Sequence, residues 1–317
     1  MLKIIQHKKV YLIFSGLLML VSIMALSIFG LNLGIDFTGG SLMRIQTNQD
    51  QINTQDIKQI LNQKQQEPEF QDILGNYTVQ PVTENQFLIK TTHLEEKDHQ
   101  QILQILKKQL NNKQANTEQV NNPITEIKYD SIGPTIGKEL KGNAQKAILV
   151  VLVAIVIYIA LAFKKVSSQL NKYESLRYAL VAIIALIHDI LITLGIFSVL
   201  GHFYNVQIDS YFIAALLTIL GYSVNDTIIV LDRIRENILK KGNQAFEAVV
   251  NKSVNQVIGR SINTSITTLI VLFAILLFGG ETIYYFVLTL IIGIISGTYS
   301  SIFLASPLLV VFKKLKN

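Results

Sequence analysis

A chain of 317 residues that is 50% hydrophobic, only 16% charged and of net charge +6 is not an ordinary soluble domain. Its lysines and arginines flank long apolar runs, so they read as orientation signals rather than nucleic-acid contacts. The absence of cysteine excludes disulfides, thiolate metal sites and thiol nucleophiles, and five scattered histidines without HExxH spacing give a metal site no support.

The basic start MLKIIQHKKV leads into an apolar run over 10–31. At about 20 residues this run exceeds the 7–15 of a signal-peptide core, and no clear A-x-A site follows, so an uncleaved first span is expected. Residues 32–143 then read as a separate domain. A DFTGG sequence (36–40) makes a tight turn; without a GxxxxGK[ST] context it is not a phosphate loop. Strand 41–47, helix 54–62, a hairpin of 77–82 and 86–91 turning at 83–85, helix 95–111 and strand 124–129 follow. Ile102, Leu106 and Leu110 lie on one face of the longer helix. The order β-α-β-β-α-β is the ferredoxin-like pattern. The Asn/Gln-rich stretch 109–122 reads as a loose surface connection.

Further spans are predicted over 147–163 (reaching back to 144), 178–200, 211–231, 262–278 and 283–312. Between the fourth and fifth, residues 232–259 are polar but periodic, and predict two short amphipathic helices, along the cytoplasmic interface or against neighbouring spans, broken at Gly242-Asn243. Lys and Arg cluster before the first span, between the second and third, between the fourth and fifth, and after the sixth; 201–210 and 279–282 contain none. The positive-inside rule places both termini and the basic loops in the cytoplasm and 32–143 outside. The expected fold is thus a polytopic α-helical membrane protein with six transmembrane helices and one α+β ferredoxin-like extracytoplasmic domain between the first two. Its parts are 1–31, 32–143 and 144–317.

The fourth span carries Asn225 and Asp226 inside its apolar run. A carboxylate there costs roughly 2.5–3.5 kcal/mol on insertion scales and by default marks a transport path or proton relay. Thr218, Tyr222 and Asp226 share one face, and Arg260, Thr264 and Thr267 or Thr268 form a comparable stripe on the fifth span. Asp226 and Arg260 both fall in the cytoplasmic half, so the expectation is a protonatable acid near a guanidinium, whose proton affinity changes with packing. The bland alternative has Arg260 snorkelling to the interface and Asp226 merely packing. His188-Asp189, central in the third span, reads equally as a second relay element or as a polar tie between helices. Gly293, Gly297, Ser301 and Ala305 recur every four residues on the sixth span as a small-residue packing ribbon. No Walker A motif, nucleophile elbow or metalloprotease motif occurs, so neither an enzyme nor a cofactor is expected.

Several stretches in order, GIDFTGG (34–40), SIGPTIGKEL (131–140), ALIHDILITLG (185–195), GYSVNDTIIVLDRIREN (221–237), RSINTSITTL (260–269) and GTYSSIFLASPLL (297–309), together resemble the SecF side of the SecD/SecF protein-export family. The resemblance spans nearly the whole chain. It implies an accessory subunit of the Sec translocase in a bacterial cytoplasmic membrane, pairing with SecD as a twelve-span assembly of the resistance-nodulation-division type. It implies SecYEG, with YajC and YidC, and a translocating preprotein as further partners, and no nucleic acid. By the same resemblance Asp226 is the coupling carboxylate, Arg260 its arginine and Thr264 a nearby hydroxyl, with the proton gradient as the driving force. Na⁺ in place of H⁺ stays open. Rival readings are a stand-alone exporter of small molecules or lipids and a passive scaffold.

Overall fold

The computed structural model describes residues 2–47, 52–83, 85–112, 124–163, 172–240 and 244–314. The chain forms two compact units, Leu33–Asn143 and Met1–Asn32 with Ala144–Asn317.

In the first unit, β1 (Gly40–Thr47), β2 (Thr78–Thr83), β3 (Gln86–Thr91) and β4 (Ile124–Ile132) form one sheet in the order β2-β3-β1-β4. All neighbours are antiparallel. With helices Thr54–Gln65 and Glu96–Asn112 as the two crossovers, this is the expected ferredoxin-like arrangement. Asn53 and Asp56 close a capping box that fixes the start of the first helix. Helix Pro68–Leu74 is an addition that the periodicity does not predict. Pro68 supplies its preset first φ, Gly75 ends it at φ 48°, and Phe70 and Leu74 sink into the core. Glu84, in the predicted 83–85 turn, and 113–123 of the Asn/Gln-rich stretch lie outside the described residues.

Ile45, Ile57, Leu61, Ile89 and Leu106 fill the space between sheet and helices. Ile89→Ala leaves a cavity there and is expected to cost about 2–5 kcal/mol. Hydrogen exchange on the full chain should show β1 and β3 amides accelerated accordingly. Unchanged exchange would mean that this core does not hold the sheet.

The DFTGG turn is one helical turn, Ile35–Thr38, followed by Gly39 at φ 70° and Gly40 at φ 123°. Both angles favour glycine. The turn also sits against the start of helix Pro134–Ala162: a Cβ on Gly39 would lie 2.9 Å from Pro134 Cα, and one on Gly137 would lie 2.8 Å from Gly39 N.

Among the described residues six helices are long and apolar enough to cross a membrane, and the second unit holds all of them except the start of the second: Ile5–Phe29, Pro134–Ala162, Glu174–Tyr204, Ser210–Leu239, Phe246–Phe278 and Glu281–Lys313. The third, fourth and sixth are the most buried, and the second leaves Leu149, Val150, Val153 and Leu161 exposed. First and third spans meet closely where Gly195 faces Ser22, a Cβ on the glycine falling 2.5 Å from the serine's. Of the two placements expected for the helices of 232–259, the structure shows the one against neighbouring spans, and it makes them continuous with the fourth and fifth spans. The fourth span runs on to Leu239 and the fifth begins at Phe246, because Ile234, Ile238, Val249, Val250, Val254 and Val257 continue the spans' own buried faces. Gly242 and Asn243, where the break was expected, are outside the described residues. Asn251 and Asn255 on the fifth helix bond the backbone of Leu2 and Ile5, and Lys8 pairs with Glu247 at 2.7 Å. Lys313 lies 4.0 Å from the Phe246 ring centre. The N-terminal segment, the start of the fifth helix and the end of the sixth span thus share one end of the bundle.

Candidate functional site

The sixth span is not a single α-helix. It is a helix over Tyr284–Ser300, a π turn over Ser301–Ala305 and a helix over Ser306–Lys314. Pro307 lacks the N–H that would bond the Phe303 carbonyl, and its ring crowds that carbonyl, so the turn before it widens. The widened turn presents Ser300 and Ser301 consecutively toward two carboxylates.

Asp226 is 8% exposed, at the meeting of the fourth, fifth and sixth spans. Ser261 donates to its Oδ1 and Ser301 to its Oδ2. Two hydroxyl donors match an ionised carboxylate; a proton on Asp226 would require one serine to turn and accept, or to let go. The acid is therefore a three-helix junction whose bonding depends on its occupancy.

Asp189 is fully buried and accepts from four groups: His188 Nδ1 at 2.9 Å and Ser296 at 3.0 Å on Oδ1, Ser223 at 2.5 Å and Ser300 at 2.8 Å on Oδ2. Thr193 adds a bond to its backbone carbonyl at 2.9 Å. The His188–Asp189 contact shows that these adjacent residues do bond each other.

Arg260 is not brought to Asp226. It is exposed, and among the described residues neither carboxylate pairs with a Lys or Arg. The cause is helical: Ser261 and Ser265 occupy the buried stripe of the fifth span, and Arg260, Asn263, Thr264 and Thr267 sit on the exposed side. Thr264 donates to the Arg260 carbonyl at 2.9 Å. Asn225 and Thr218 of the fourth span are exposed as well. A second polar thread runs inward, from the Tyr222 hydroxyl to Ser265 at 3.4 Å and from Ser265 to Thr298 at 2.6 Å. On the ribbon, Gly293 faces Ile219 and Gly297 faces Ser223, as packing requires, and Ala305 is fully buried. Ser301 does more than pack, since it holds Asp226. Ser223, Ser261, Ser296 and Ser300 are the residues that sequence reasoning misses, and it reads Ser301 only as packing; Pro307 within an apolar span is the available signal.

Residues 112–315 match the family described as "Protein export membrane protein SecD/SecF, C-terminal", and residues 25–51 match the "SecD/SecF GG Motif". The chain belongs to the SecD/SecF family. It is 39% identical to the protein translocase subunit SecF of Thermobaculum terrenum over 98% of this chain and 93% of that protein. It is also 39% identical to that of Sebaldella termitidis, over 100% and 93%. The crystal structure of SecDF, a translocon-associated membrane protein from Thermus thermophilus, superposes with a TM-score of 0.77 at 30% identity. That match covers 98% of this chain but 38% of SecDF, so it aligns to one part of a longer protein. With relatives of this kind, the SecF-type chain is a multi-pass membrane protein and an accessory subunit in Sec translocation.

Proposed function

We propose that this chain couples an ion gradient to preprotein export through Asp226, acting as the SecF half of a twelve-span assembly with SecD in a bacterial cytoplasmic membrane. The observation that carries the reading is the Asp226 junction: one acid inside the membrane, held by hydroxyls from two other spans, whose bonds must rearrange when an ion arrives. Proton arrival and departure then change how the fourth, fifth and sixth spans grip one another.

SecD supplies the other spans. Arg260, Asn225 and Thr264 support its seat on the exposed side of the fourth and fifth helices, because a guanidinium facing lipid would cost roughly 2.5–3.5 kcal/mol without a partner. A carboxylate from SecD is the matching group. Both termini and the fourth-to-fifth connection face the cytoplasm in this reading, and the Leu33–Asn143 unit meets the emerging preprotein. SecYEG is the channel served, with YajC and YidC alongside. No covalent bond is made or broken and no metal or cofactor takes part.

The test is preprotein translocation in vesicles containing this chain, SecD and SecYEG, with H⁺ and Na⁺ gradients imposed separately. The H⁺ gradient should accelerate translocation, and the Na⁺ gradient alone should not. Acceleration by Na⁺ alone, or by neither, would overturn proton coupling.

A further inference from the structure

We propose that His188 is a second proton-loading group, buried between the third and sixth spans and coupled to Asp226 through Ser300 and Ser301. The inference rests on the reading of Asp226 as a charged, gradient-linked acid only for the coupling, not for the loading.

Asp189 already accepts from four donors, so it is satisfied as a carboxylate without a proton of its own. Donation from His188 Nδ1 fixes the neutral ring as the Nδ1–H tautomer and leaves Nε2 as the basic atom. That Nε2 is buried and has no hydrogen-bond partner among the described residues. An orphaned buried nitrogen on a group that changes charge near neutral pH is unexplained by packing alone. Loading it forms one N–H bond and converts a neutral imidazole beside a carboxylate into an imidazolium–carboxylate pair. The buried charge of the dyad then goes from −1 to zero.

The titratable groups facing the dyad are few. Asp189 is on its own helix, and Tyr299 of the sixth span stacks on the His188 ring at 6.1 Å. The Tyr299 hydroxyl is held by Ser15 at 3.2 Å and by the Tyr11 carbonyl at 3.4 Å on the first span. From the fourth span Ser223 reaches Asp189, three residues before Asp226. The consecutive serines make the link: Ser300 donates to Asp189 and Ser301 to Asp226, at the entry to the π turn. A movement of the sixth span that frees one carboxylate disturbs the other, and this shared serine pair is the route from Asp226 to the His188–Asp189 dyad.

The experiment is solid-state NMR of the full chain in lipid, labelled with nitrogen-15 at its five histidines. The His188 signals are assigned by difference against His188→Asn, or His188→Gln should the first not fold. Nε2 should pass from unprotonated to protonated as the pH is lowered. Asp226→Asn alters what Ser301 bonds and should change the midpoint of that protonation. An Nε2 that stays unprotonated throughout overturns the loading site, and a midpoint indifferent to Asp226→Asn overturns the coupling. Because the spectra need no translocation, a normal titration in a complex that does not respond to a gradient would sink the export reading alone.

Discussion

On the proposed coupling, Asp226→Asn should abolish the response of translocation to an imposed gradient while leaving assembly with SecD intact. Asparagine keeps the size of the side chain and one acceptor oxygen, but neither charge nor exchangeable acid proton. It imitates the loaded acid permanently, with Nδ2 now a donor facing a serine that was also donating. One serine must turn, which the side chains allow, so the three-helix junction survives in a single state. The expected loss in gradient-stimulated rate is roughly 100-fold or more, the scale of a positioned proton-transfer group. Translocation without a gradient should be unaffected. Ser261→Ala and Ser301→Ala should each give an intermediate loss, since either leaves one hydroxyl on the acid. A full gradient response in Asp226→Asn would remove this acid from the coupling path, whatever the family relationship.

The spans were legible because a bilayer demands uninterrupted apolar length, and nothing else in a sequence looks like that. The outer unit was legible for the complementary reason: alternation and helical periodicity switch at turn residues, and only Pro68–Leu74, too short to show a period, escaped. Asp226 stood out because charge is rare in such a run. Its partners did not. A polar stripe on the fifth span was assumed to face inward with the acid, yet a one-residue offset of 100° on the helix gives Ser261 that position and turns Arg260 away. On the proposed pairing with SecD, that outward polar stripe is where the second subunit seats. Asp189 was ambiguous for another reason. Its ligands Ser223, Ser296 and Ser300 come from two other helices, and serine in a span signals little until the helices are placed.

The second large effect is expected at Gly293, which contributes no polar group to the site. A Cβ there would fall inside the side chain of Ile219, itself 1% exposed on the fourth span. The atoms met include the Ile219 branch carbons, which have no free rotamer to retreat to in a packed bundle. Gly293→Ala is expected to cost about 1–3 kcal/mol by overpacking, and Gly293→Val more. Gly297 and Ser301 follow at one-turn intervals on the same ribbon. Pushing the sixth span away from the fourth therefore lengthens the Ser301 bond to Asp226 and the Ser300 bond to Asp189 together. Gly293→Val should consequently lower the melting temperature of the purified chain and silence the gradient response, although every polar group at the site is intact. Ile219→Ala alone opens a cavity costing about 2–5 kcal/mol. Combined with Gly293→Ala it should instead recover stability, with a coupling of about 0.5–3 kcal/mol between the two positions. Strict additivity of the two substitutions would mean that the fourth and sixth spans do not meet at this pair. The small-residue ribbon would then not be what holds the serines against the two acids.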